Sequence, residues 1–191
     1  MQIHYTAMIF YTRQDPGVLT ELTENGFYRV KEEYVRQKYT TITDHYASLY
    51  RRLTLYARKY IDIPDGILYP VGLTPAGNDT IPPADGSVFL KFDIPEGKYL
   101  IVNDEVWEHM INHLYHPIDE ADQIAHEAEL AKYGISSPSS LIGGPAGNFY
   151  PVLKNKVLRS WERVYTVQPQ DPSHISGLCW ELHLEWLVDH S

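Results

Sequence analysis

The sequence predicts an α+β fold, a single domain over residues 1–191 in which about five or six helices pack on a mixed β-sheet. Three observations carry this. Ala7–Tyr11 is a continuous apolar run, as a buried strand requires. Leu178–Glu185 alternates, with Leu178, Trp180, Leu182 and Leu184 on one face and Cys179, Glu181, His183 and Glu185 on the other. Between these ends, stretches of helical periodicity are separated by Gly and Pro signals. The first and last strands, being the most apolar, are expected in the sheet interior.

In order, Thr12 and Arg13 end the first strand. Asp15 reads as an N-cap with Pro16 at the first helical position, Val18, Leu19 and Leu22 as an apolar stripe, and Gly26 as a left-handed stop. Lys31–Lys38 reads as a short helix, interrupted by the β-branched Thr40–Thr43. Asp44 then caps a longer helix, on which Tyr46, Leu49, Tyr50, Leu53, Tyr56 and Tyr60 recur at helical spacing. Tyr69–Leu73 reads as a short strand and Pro75–Gly86 as loop.

Val88–Ile94 and Tyr99–Val102 are strand-like runs around Pro95-Glu-Gly97, which predicts a hairpin. Asn103 or Asp104 caps the next helix, and Pro117 limits it. Asp119–Lys132 is a helix with acids at its start and Lys132 at its end. Residues 135–148 read as loop. The next helix carries Leu153, Val157, Trp161 and Val164 on its apolar face, so Trp161 is expected buried against the sheet.

Composition is that of a soluble globular chain, with 43% hydrophobic and 21% charged residues. No run reaches the roughly 18 apolar residues of a membrane span, so no membrane contact is expected. No leader pattern follows Met1, and Cys179 is the single cysteine; both fit a cytoplasmic protein.

The net charge of −9 argues against a generally basic surface, yet residues 29–60 carry eight cations against three acids. Six of the 15 tyrosines lie there too. Aromatics among cations can stack bases and hold phosphates, so Arg36, Lys38, Arg51, Arg52 and Arg58 are candidates for a nucleic-acid or protein partner. The competing reading is a solvated helical face with core-packed tyrosines.

Nucleotide and metal motifs are weak. Gly143-Gly144-Pro-Ala-Gly147 lacks the Lys-Ser/Thr of a phosphate loop. His109 and His113 fall one turn apart with His116 following, but no cysteine cluster or adjacent Glu completes a shell, so no metal is expected. No nucleophile elbow is present.

A set of blocks resembles an uncharacterised bacterial family known only as a domain of unknown function. These are Tyr11-Thr-Arg-Gln14, Phe92-Asp-Ile-Pro95, then Asp104, Trp107, Asn112, Tyr115 and Pro117, then Ser160-Trp161-Glu-Arg163, and Trp180-Glu181. That family usually has aromatic residues at the places of His109 and His113.

The layout is similar to ADP-ribosyltransferases that modify nucleic acids. A first strand ends in polar residues, a short helix and a Gly stop follow, and a closing strand carries a Glu. The resemblance implies an NAD-dependent enzyme acting on a macromolecule in phage–host conflict. Thr12 and Arg13 would hold NAD, Glu181 would orient the ribose, and Tyr28 or Tyr115 would stack on nicotinamide. Asn112 and Arg163 complete the expected pocket. Placement on the two interior strands also predicts that Arg13 and Glu181 approach one another, with Arg163 as a third member. A non-catalytic binding module using the 29–60 face is the alternative.

Overall fold

The first strand forms where the apolar run placed it. In the computed structural model, which describes residues 8–39, 42–77, 85–171 and 173–191, β1 spans Met8–Gln14. Phe10 and Thr12 are buried and Arg13 is exposed, the alternation of a strand with one core face. Ala7, Thr40, Thr41 and most of the Pro75–Gly86 loop lie outside the described residues.

Asp15 caps α1 (Pro16–Asn25) by accepting from the Gly17 N–H at 2.8 Å, and Gly26 ends it at φ +80°. β2 (Phe27–Tyr28) follows, then α2 (Glu32–Tyr39) and α3 (Thr43–Ala57). Asp44 lies in the first turn of α3 rather than capping it. Next come β3 (Val71–Pro75), two residues later than expected, β4 (Val88–Ile94), β5 (Tyr99–Asn103) and β6 (Ile175–Cys179). β7 (Leu182–His183) and β8 (Leu187–His190) close the chain. No helix among the described residues is long and apolar enough to cross a membrane.

The main sheet has the order β5-β6-β3-β1-β4-β8, and β2 with β7 forms a second, two-stranded sheet. β1 pairs with β3 and β4, β3 with β6, and β4 with β8, all antiparallel. The α+β class therefore holds, but antiparallel ladders stand where a mixed sheet was expected. The helices after β1 return the chain beside its own strand in the opposite sense; they are not crossovers between parallel neighbours.

The expected hairpin is also corrected. The turn exists, with the Lys98 N–H donating to the Pro95 carbonyl at 3.1 Å, but β4 and β5 are not ladder partners. Such a turn keeps its ends within about 7 Å. Four strand spacings in a flat sheet span about 19 Å. The sheet must therefore curl, and the Tyr99 ring meets the Phe10 ring edge-on at 4.8 Å where it folds over. Gly177 on β6 makes room for this contact, because a Cβ there would lie 2.6 Å from the Phe10 ring.

The closing strand is broken. β6 ends at Cys179, Trp180 bends the chain, and the short Leu182–His183 strand leaves the main sheet to pair with β2. Trp180 is held by its indole N–H, which donates at 2.8 Å to Thr54 on α3. Cys179 is fully buried, and burial pushes its thiol well above the usual range. The expectation that it shares a polar face with Glu181 fails because the strand does not continue straight through residue 180.

The contacts divide the chain into two compact units, Met1–Val102 with Gln170–Ser191, and Asn103–Pro169. The core of the first gathers Phe10, Val18, Leu22, Leu90, Phe92 and Ile94 with neighbouring apolar residues.

The second unit begins at Asn103, whose side chain accepts from the Glu105 and Val106 N–H groups at 2.9 and 3.2 Å to cap α4 (Asp104–Ile111). This helix stops well before Pro117, because His113 adopts φ +59° and turns the chain away. α5 (Glu120–Lys132) is capped by Asp119. The expected loop over 135–148 contains two short helices, α6 (Ser140–Gly143) and α7 (Ala146–Phe149). α8 (Pro151–Ser160) then tightens into a 3-10 turn at Trp161–Tyr165.

That turn clasps the segment after α4. Ser160 Oγ accepts from the His116 N–H at 3.0 Å, the Trp161 indole donates to the Leu114 carbonyl at 2.7 Å, and Arg163 donates to the His116 carbonyl. Trp161 is 1% exposed, and the His113 ring stacks on it with the centroids 6.2 Å apart. Trp161→Ala should destabilise the protein by about 3–5 kcal/mol in urea unfolding, the range for a buried aromatic. A loss below about 1 kcal/mol would remove Trp161 from the core.

His116 is 9% exposed, with Nδ1 lacking a partner among the described residues. Burial, with His109 and Arg163 nearby, pushes its pKa down to about 4. Between that value and the ordinary pKa near 6.5, the unfolded chain binds a proton that the folded chain refuses. Stability should therefore fall as pH drops from about 6.5 to about 4, by up to about 3 kcal/mol, and then level off. Urea unfolding at several pH values checks this, and His116→Gln should flatten the dependence. An equal slope in the variant would assign the effect elsewhere.

Candidate functional site

The short β2–β7 ladder builds the site in the first unit. It pairs Phe27 with His183 and Tyr28 with Leu182. The same antiparallel register, carried one step further, sets Arg29 opposite Glu181. Arg29 donates to Glu181 Oε2 through Nε and forms an ion pair through Nη2. His183, two residues on and therefore on the same side of the short strand, donates from Nε2 to Oε1 at 2.5 Å. Both carboxylate oxygens are thus held, at 18% side-chain exposure.

Aromatic rings brace the two partners. The Arg29 guanidinium lies 4.7 Å from the Phe27 ring centroid, and the His183 ring lies 4.4 Å from that of Trp186. Beside them is a recess of about 90 Å³ lined by Asp62, Lys98, Trp180, Glu181, His183 and Trp186. A carboxylate of fixed orientation at such a recess can accept from a ligand hydroxyl or stabilise a developing positive charge. It can also hold His183 as a general base.

The remaining expected site residues fall in different settings. Thr12 is 3% exposed and its hydroxyl donates to the Gly72 carbonyl at 2.8 Å, so it is part of the sheet. Tyr28 is 3% exposed, and burial pushes its phenol up; the ring offers no stacking face. Arg13 is exposed on β1, which runs in the same direction as β6 with β3 between them. Both Arg13 and Glu181 therefore lie towards one end of the sheet, while the cation that pairs with Glu181 is Arg29. Sequence reasoning missed Arg29 and His183. The signal was available in the Phe27-Tyr-Arg29 and Glu181-Leu-His183 stretches, where one antiparallel register joins both pairs.

Asn112, Tyr115 and Arg163 belong to the second unit. Asn112 caps α4 at its C-terminal end, with its side chain donating to the Glu108 carbonyl at 2.9 Å. Tyr115 and Arg163 come together, the guanidinium 5.9 Å from the ring centroid. The Tyr115 hydroxyl donates to Asp122 at 2.6 Å, and burial with that hydrogen bond raises its pKa. Among the histidines, His109 packs on His116 and His113 stacks on Trp161, so the pair one turn apart does not converge. No group of three His, Cys, Asp or Glu suited to a metal occurs among the described residues.

The cations of residues 29–60 are largely paired. Lys31 bonds Glu21 at 2.7 Å, Arg36 bonds Glu32 at 2.7 Å, and Arg51 donates to Tyr69 at 2.7 Å. Arg52 reaches Tyr56, and Arg58 donates to the carbonyls of Ile63, Pro64 and Ile67. The hydrogen bond from Lys31 pulls the Glu21 pKa down, and that from Arg36 does the same for Glu32. The Lys38 side chain lies outside the described residues.

No curated protein and no solved structure matches the chain. A family match runs over residues 9–188, so it takes in every candidate site residue of both units. The chain belongs to the family described as domain of unknown function DUF3841.

Proposed function

We propose that the protein is an NAD-consuming, ADP-ribosyltransferase-like enzyme that modifies a macromolecule, with Glu181 at its reactive centre. The observation that carries this is the Glu181 carboxylate, gripped through both oxygens by Arg29 and His183 at the edge of a recess. At about 90 Å³ that recess suits a single ring and not a whole dinucleotide, so nicotinamide would enter and the phosphates would remain outside. Arg13, exposed towards the same end of the sheet, is the proposed phosphate ligand.

In this reading the glycosidic bond from the ribose C1′ to nicotinamide breaks, nicotinamide leaves with the bonding electrons, and positive charge develops at C1′. A hydroxyl or amine of the acceptor then bonds C1′ and loses its proton. Glu181 accepts a hydrogen bond from a ribose hydroxyl and stabilises the cationic centre. His183, held by Glu181, takes the acceptor's proton. The paired cations of residues 29–60 favour this reading over a binding module on that face.

Purified protein incubated with labelled NAD, with and without DNA, RNA or protein acceptors, should release nicotinamide and label one acceptor class. Glu181→Gln should keep its cooperative melting transition and lose about 100-fold or more of the rate, as expected for removal of a charge-stabilising group. Absence of turnover with every acceptor overturns the proposal, as does a folded Glu181→Gln variant with full activity. If Glu181→Gln does not fold, His183→Asn supplies the test of the same centre.

A further inference from the structure

A second candidate lies wholly within the second unit. Along one side of α8 and the 3-10 turn, Asn155, Lys156, Arg159 and Arg163 recur at three- and four-residue spacing. With Tyr115 and Ser160 they line an open cleft of about 620 Å³. The cations differ in how far they are already satisfied. Lys156 is paired with Glu129 at 3.0 Å. Arg163 bonds neutral acceptors, the Ser160 and His116 carbonyls, and lies over the Tyr115 ring, while the Asp122 carboxylate acts on it at longer range than an ion pair.

Arg159 is exposed and has no hydrogen-bond or ion-pair partner among the described residues. A cation in the last turn of a helix is favoured by the helix dipole alone, so Arg159 by itself marks no site. The cleft is set apart by two guanidinium groups that make no ion-pair contact with a carboxylate among the described residues, one of them fixed in place, in a chain of net charge −9. A guanidinium has five N–H donors, and the two carbonyl bonds of Arg163 leave three. Its planar fork matches phosphate oxygens. The Tyr115 ring is already covered by Arg163, Lys156 and His126, so it serves as a wall and not as a platform for a base.

We propose that this cleft binds adjacent phosphate groups, with Arg163 as the fixed ligand and Arg159 as the mobile one. The phosphates belong either to a free phosphorylated small molecule or to a nucleic-acid strand, which present the same chemistry. The proposal is independent of the Glu181 reading.

The test is calorimetric titration of the full chain with pyrophosphate, with ADP and with a short oligothymidylate, at about 50 and 200 mM salt. Arg159→Gln is the first variant, because its side chain holds nothing in the fold. Binding should weaken about tenfold in Arg159→Gln. Arg163→Lys, which keeps the charge and removes the fork, should weaken binding as well. Binding of pyrophosphate and ADP without the oligonucleotide assigns a small-molecule ligand. Oligonucleotide binding with a salt slope reduced by about one in Arg159→Gln assigns a strand. If none of the three probes binds, or if Arg159→Gln binds each as wild type does, the cleft is not a phosphate site.

Discussion

A carboxylate withdrawn from water must be given partners, and much of the first unit's closing architecture follows from how Glu181 receives its own. A straight continuation of β6 would leave Glu181 without the β2–β7 ladder. The chain instead bends at Trp180, where the indole bond to Thr54 fixes the bend, and Leu182–His183 pairs with Phe27–Tyr28. Only after that pairing does Arg29 face Glu181. Arg29, three residues after the α1 stop, and Glu181, the residue after the bend, are thus brought together by two backbone pairs. Gly26 contributes both by ending α1 in the left-handed conformation and by accepting the Leu184 N–H at 2.9 Å.

Local signals were legible where a single residue decides the backbone. Asp15 caps α1, Asn103, one of the two expected candidates, caps α4, Gly26 stops α1, and the apolar run to Tyr11 marks β1. What the sequence concealed depends on distant partners. The Val88–Ile94 and Tyr99–Val102 runs carry every mark of a hairpin, including the turn, yet the curl of the sheet gives β4 and β5 different neighbours. Periodicity describes which face of a strand is buried and is silent on which strand lies alongside. The candidate site shows the same division. Glu181 stands out as an acid beside buried apolar residues, but a strand unbroken through Trp180 points to a cation on β1 and not to Arg29.

Charge runs in the sequence and charge available to a ligand are different quantities. Residues 29–60 are the most basic stretch, yet Lys31 meets the Glu21 carboxylate and Arg36 and Arg51 meet that of Glu32. Exposed pairs of this kind add little stability individually, but they cancel the local field that an anionic partner would feel. In the 151–163 stretch, which looks less basic in the sequence, Arg163 is anchored by carbonyls and not by an acid. A guanidinium held by neutral acceptors is positioned and still cationic.

The Ser160-Trp-Glu-Arg163 block makes this arrangement possible through a change of helix type. On a continuing α-helix, Arg163 would lie about 200° from Trp161 and leave the buried side. The tightening to a 3-10 turn at Trp161 brings residues three apart into line, so Ser160 and Arg163 project together. Both then reach His116, one accepting from its N–H and the other donating to its carbonyl, while Trp161 takes the Leu114 carbonyl. The segment after α4 has left its helix at His113 and has no ladder to satisfy its backbone, so these side chains supply the missing partners. The spacing of the block is therefore first a solution to a backbone problem. The fixed guanidinium beside Tyr115 is a by-product of that solution, and it costs the fold nothing further to present it to a ligand.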